Sequence, residues 1–220
     1  MGYNPGREDV VGGNLVESKQ SEAVVLVHGL WMTGAEMRVL GGRLEESGFH
    51  VRYFRYRSWR GGLAQAESAL REFVEATEAA RVNLVGHSLG GVVIAKMLEE
   101  APLSRPGRVA MLGSPMGGSA AARIVSRRRI GRWLVGGVIR DGIVEHAPKW
   151  PGGRDLLVVA GDIPLGSGLL LGLPKPHDGV ILVEETRVEG ARTVTVRASH
   201  VGLLLSRKVA ALLSDYFRSA

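Results

Sequence analysis

The chain has 220 residues, 45% hydrophobic and 23% charged, which is the balance of a soluble globular protein and enough length for one domain with a sizeable core. It holds no cysteine, which excludes disulfides and thiolate metal sites, and no run approaching the ~20 apolar residues that span a bilayer. A net charge of +6 would suit anionic partners, but only 5% of residues are aromatic and no nucleic-acid motif accompanies the charge, so nucleic-acid binding is not expected.

Residues 1–22 read as a polar lead-in without the apolar core of a signal peptide, and a cytoplasmic location is the expectation. From residue 23 to 220 short β-branched runs alternate with helical patterns. Strands are expected at Ala23–Val27, His50–Tyr56, Asn83–Val85, Arg108–Leu112, Leu156–Ala160 and Thr193–Arg197. In Leu63–Ala79 the residues Leu63, Ala66, Leu70, Phe73 and Thr77 share one helical face, opposite Arg71, Glu75 and Glu78. A second helix begins beside Ser88 and carries Val92, Val93, Ala95, Lys96 and Leu98, and a third spans Val201–Phe217. Residues 117–153 are the least regular part. They contain the basic run "SRRRIGR" at Ser126–Arg132 and the amphipathic set Ile130, Trp133, Leu134 and Val138, and are expected to form a small cap with its arginines in solvent. Alternation of continuous apolar strands with helices specifies an α/β fold, a mostly parallel sheet of about six strands covered on both faces.

One stretch stands out from this regular alternation. "LVGHSLGGV" (Leu84–Val92) places Ser88 between glycines at the end of a strand, where ligands of open α/β sheets bind. Gly86-His87-Ser88-Leu89-Gly90 fits G-x-S-x-G, the strained strand-to-helix turn in which a side chain at either glycine would meet neighbouring backbone. Such a turn exposes the Ser88 hydroxyl and aims main-chain N–H groups of a helix start at developing negative charge. In "VVLVHGLW" (Val24–Trp31) a strand runs into His-Gly, which presents the Leu30 N–H at the same edge, so Leu30 and Leu89 are the expected oxyanion donors.

A nucleophilic serine needs a base and an orienting acid. Of the six histidines, His28 reads as a structural turn residue and His50 as a surface residue at a strand start. His87 is expected to direct its ring away from Ser88, and His146 falls in the irregular region. His200, in "VRASHVGLLL", ends the last strand at the same sheet edge and is the expected base. Two acids keep the chain order Ser, acid, His: Asp162 after "DLLVVAG", and Asp178 in "PKPHDGVILVEE", 22 residues ahead of His200. His177 beside Asp178 lacks the further ligands of a metal site, and no cofactor is called for.

With these residues placed, the chain resembles the α/β-hydrolase superfamily, and within it small bacterial lipases and esterases with a minimal cap. The resemblance covers roughly Ala23–Phe217 through "VVLVHGLW", "VNLVGHSLGGVV", "MLGSPMGGSAAA", "HDGVILVEET" and "ASHVGLLLS". It implies a Ser88–His200–Asp178 triad, the acid lying in the "DG-V" turn rather than at Asp162, and Leu30 and Leu89 as the oxyanion hole. It implies two-step cleavage of a small-molecule or lipid ester, with thioesterase, amidase or acyltransferase chemistry or a non-catalytic binding role as alternatives. Trp31, Met32, Leu89, Met116 and Leu169–Leu171 are expected to line the acyl pocket, and the basic rim to favour weak contact with anionic surfaces.

Overall fold

Continuous apolar runs are stable as strands only where both sheet faces are covered, and four of them form the interior of one six-stranded sheet. The computed structural model describes residues 22–58, 62–126, 149–166, 168 and 171–219. The strands are β1 (Glu22–Val27), β2 (His50–Phe54), β3 (Arg81–His87), β4 (Val109–Leu112), β5 (Leu156–Gly161) and β6 (Arg192–Val196). Every neighbouring pair is parallel, in the order β2-β1-β3-β4-β5-β6. The order reverses between β1 and β3, so a crevice opens outside their carboxyl ends, the place where open α/β sheets bind ligands.

Alternate side chains of each strand feed two cores. On one face Val25, Val27, Leu84, Met111 and Val158 pack against α2 (Leu63–Glu75) and α3 (Leu89–Glu100). On the other, Val24, Leu26, Val85, Leu112 and Val159 pack against α1 (Arg38–Glu46) and the closing helices α5 (Gly202–Leu205) and α6 (Arg207–Arg218). A short α4 (Ala120–Ser126) follows β4, and its Ala122 and Val125 lean on the first core. In α3 every residue from Leu89 to Ala95 is buried, as befits a helix enclosed on all sides.

Several boundaries differ from the sequence reading. β3 runs on to His87, so Ser88 follows it directly. α2 stops at Glu75 because Thr77 turns its hydroxyl back onto Phe73 O at 2.9 Å, and Val74 completes the buried face with Leu63, Ala66 and Leu70. The expected Val201–Phe217 helix is two helices. Ser206 between them is extended (φ −77°, ψ 120°), and its Oγ accepts the Val209 N–H at 3.3 Å as an N-cap. α1 and α4 were not anticipated as helices. The lead-in through residue 21, the basic cluster Arg127–Arg129, His146, Leu169 and Leu170 lie outside the described residues, as does the middle of the expected cap.

Candidate active site

Ser88 adopts φ 54°, ψ −121°, a backbone conformation that costs a non-glycine residue energy and persists only where its surroundings enforce it. The glycines around it supply that enforcement. A Cβ on Gly86 would overlap the main chain of Gly91, and one on Gly90 would overlap Val27 O of β1. α3 can therefore start hard against β1 and β3 only with glycine at both positions. Ser88 N donates to Leu112 O at 2.9 Å, which fixes the turn to the end of β4.

The loop after β1 is held as firmly. Burial lowers the pKa of His28 and keeps its ring neutral. Its Nε2 accepts from Tyr56 N at 3.4 Å, so the ring proton sits on Nδ1 and is donated to Gly29 O at 2.9 Å. The Tyr56 hydroxyl donates to His28 O at 3.0 Å, and the two rings stack with centroids 4.6 Å apart. Gly29 packs so close that a Cβ there would lie 3.1 Å from Ser88 Cβ. Trp31 beyond it has a positive φ of 56° and donates its N–H to Ser58 Oγ at 3.0 Å. Leu30 thus occupies the β1 side of the crevice and Leu89, the first residue of α3, the β3 side. No acceptor takes the N–H of either among the described residues.

At the far side of β4 an acid and an imidazole meet. His200 Nδ1 lies 2.6 Å from Asp178 Oδ2, in a pair 8% and 1% exposed respectively. Asp178 Oδ1 accepts the N–H groups of Val180 (2.9 Å) and Ile181 (2.8 Å), which leaves Oδ2 for the imidazole. The main chain repeats the tie, with His200 N donating to Asp178 O at 2.8 Å. A carboxylate on Nδ1 sets that nitrogen as the donor and leaves Nε2 with a free lone pair, the form a general base requires. Gly113, at φ 58°, makes room: a Cβ there would sit 3.0 Å from Asp178 Oδ2 and 3.1 Å from His200 Nδ1. Asp162 does not contact the imidazole. Its N–H is held by Val196 O and its Oδ1 is buried without a partner.

Ser88 is juxtaposed with this pair rather than hydrogen-bonded to it. Next to Ser88 in the chain, His87 turns its ring onto His200, with centroids 4.7 Å apart. His87 Nε2 donates to His200 O at 3.0 Å. Burial, reinforced by the neighbouring His200, pushes the His87 pKa down to about 3, so the ring stays neutral with Nδ1 bare and unpartnered. His177 is also structural, its Nδ1 accepting Gly179 N at 3.1 Å, while His50 is exposed.

The expected pocket residues do not share one lining. Trp31 is 58% exposed, Met32 packs toward the α1–α6 core and Met116 is buried in the opposite core. Leu171 leans on a small cluster of Ala121, Leu173 and Leu182. Beside the β1 loop a cavity of about 400 Å³ is lined instead by Arg55, Tyr56, Arg57, Gln65, Ala66 and Ala69. Sequence reasoning also passed over Ser58, which belongs to no motif, and over Gly113 and Glu185, which lie within quoted motifs but whose contacts come from other loops.

No family model and no curated protein matches the sequence. Comparison with solved structures does find relatives in fold. A lipase of Bacillus licheniformis in its mature form superposes with a TM-score of 0.74 at 16% identity, over 90% of this chain and 92% of that one. A metagenomic carboxyl esterase gives 0.66 at 16% identity over 98% and 80% of the two chains. A bromoperoxidase of Bacillus anthracis gives 0.64 at 16% identity over 89% and 92%. The parallel six-stranded sheet, the crossover between β1 and β3 and these superpositions agree: the chain has the α/β-hydrolase fold.

Proposed function

We propose that the chain is a serine hydrolase that cleaves carboxylic esters, small-molecule or lipid, through Ser88, His200 and Asp178. The observation that carries the reading is the buried Asp178–His200 pair at 2.6 Å, built beside a serine held in a strained elbow. That lipases and a carboxyl esterase share the fold supports it.

In the proposed cycle Ser88 Oγ bonds to the ester carbonyl carbon as its proton passes to His200 Nε2. Asp178 holds the imidazole tautomer and stabilises the cation. The N–H groups of Leu30 and Leu89 receive the oxyanion, where loss of one such donor lowers turnover by ~10²–10³. Collapse breaks the carbon–oxygen bond to the leaving alcohol, which takes the proton from His200. Water, deprotonated by the same nitrogen, then releases the acid and restores Ser88.

Ser88→Ala tests the reading directly. Hydrolysis of p-nitrophenyl butyrate is expected to fall by ~10⁴ or more, and labelling by a fluorophosphonate probe to vanish. Turnover unchanged by the substitution would reject it.

A further inference from the structure

A second buried carboxylate lies close to the first. Glu185, 6% exposed, sits on the single helical turn Glu184–Thr186 that follows the Asp178 loop. Taking an acid out of water is unfavourable unless each oxygen finds donors. Glu185 finds them on opposite sides. Oε2 accepts the N–H of Leu182 at 3.0 Å, and Oε1 accepts the N–H of Ala120, the first residue of α4, and stands 3.7 Å from Arg123 Nη2. Its main chain repeats both links, with Glu185 N donating to Leu182 O at 3.1 Å and Gly117 N donating to Glu185 O at 2.8 Å.

We propose that Glu185 is a positioning residue for Asp178, clamping the 178–182 turn to the start of α4. The route is short. Leu182 adjoins Ile181, whose N–H holds Asp178 Oδ1 at 2.8 Å and whose carbonyl accepts Asp178 N at 3.0 Å. With Oδ1 held by the turn, the direction of Oδ2 toward His200 follows from the shape of that turn. A loosened Leu182 amide would let the turn open and lengthen the 2.6 Å bond to His200. The position calls for a carboxylate, because two N–H groups approach from opposite sides. A glutamine would offer one of them an amide NH₂, donor against donor. The catalytic consequence rests on the function proposed above; the geometric one does not.

The experiment therefore reads both. The hydrogen-bonded His200 Nδ1 proton should give a far-downfield proton resonance in the wild-type chain. Glu185→Gln is expected to move it upfield or broaden it, and to lower kcat for p-nitrophenyl butyrate roughly 10- to 100-fold with KM within about twofold, the effect of a misplaced catalytic group. Ala120→Pro removes one of the two N–H groups at a helix position that accepts proline, and should shift the resonance in the same direction; it decides the matter if Glu185→Gln does not fold. Ser206→Ala, a lost N-cap elsewhere, controls for general destabilisation and should leave the resonance in place. An unshifted resonance in the folded Glu185 variant, an equal shift in Ser206→Ala, or no downfield resonance in the wild type would overturn the inference. Absence of ester hydrolysis in the wild type alongside a shifted resonance would sink the proposed function and leave the clamp standing.

Discussion

Three of the four histidines buried among the described residues, His28, His87 and His200, lie at the carboxyl edge of the sheet, and hydrogen-bond partners assign each ring a different task. His28 carries its proton on Nδ1 and shapes the β1 loop, His87 carries its proton on Nε2 and props His200 O, and His200 turns Nδ1 to a carboxylate. His87 makes stability depend on pH with a definite sign. Its folded pKa of about 3 lies below the ordinary 6.5, so its contribution is full above about 6.5 and is lost as pH falls through the window toward 3. The loss approaches ~1.4 kcal/mol per pH unit within that window, and His28, also lowered by burial, acts in the same direction. Urea denaturation between pH 4 and 7 should show a distinctly shallower pH slope for His87→Gln than for the wild type; equal slopes would remove His87 as the source. The two candidate acids differ just as plainly. Asp178→Asn should lower turnover by roughly 10³–10⁴ by spoiling the imidazole tautomer, while Asp162→Asn, at a carboxylate with no hydrogen bond to the ring among the described residues, should leave the rate near wild type. Initial rates on p-nitrophenyl butyrate separate them.

Elements were legible where apolar runs or glycine punctuation marked them. All six strands were found within a few residues, the interior β1, β3, β4 and β5 because their apolar runs are buried almost throughout. The elbow was legible because Gly86, Gly90 and the strand before them answer one steric demand. α1 was missed because Gly41 and Gly42 hide its pattern: a Cβ on Gly41 would overlap the Tyr53 ring, a packing demand that no local propensity reveals. His200 was chosen from its place at a strand end and Asp178 from the resemblance of its turn, the strand-end position alone pointing as well to Asp162, whereas the His87 ring contact and the Glu185 clamp depend on meetings between distant loops. Helix ends hold another feature that one-dimensional reading cannot reach, since arginines from elsewhere in the chain cap them. Arg105 donates to Val74 O (2.6 Å) and Glu75 O (2.8 Å) at the end of α2, and Arg71 donates to Met97 O and to Ala101 O (2.8 Å) at the end of α3. Arg105→Ala should lower unfolding free energy by about 1–3 kcal/mol, and Lys208→Ala, on an exposed face of α6, by no more than about 0.5 kcal/mol. Denaturant midpoints of the two variants check the contrast.

Across the whole molecule these contacts give the net charge of +6 a structural meaning. Arg43, Arg108, Arg154 and Arg218 join Arg71 and Arg105 in donating to main-chain carbonyls rather than standing free in solvent. These six of the 28 lysines and arginines thus bind main-chain carbonyls of other segments. The strand order has its own outcome. Leu30 and Leu89 belong to segments on either side of β2 in the chain, yet they face one crevice because β1 and β3 pair directly. On the function proposed above, Ser88 would stay an ordinary alcohol during synthesis until the late segments carrying Asp178 and His200 had joined the sheet, sparing the nascent chain and its neighbours from a prematurely armed hydroxyl.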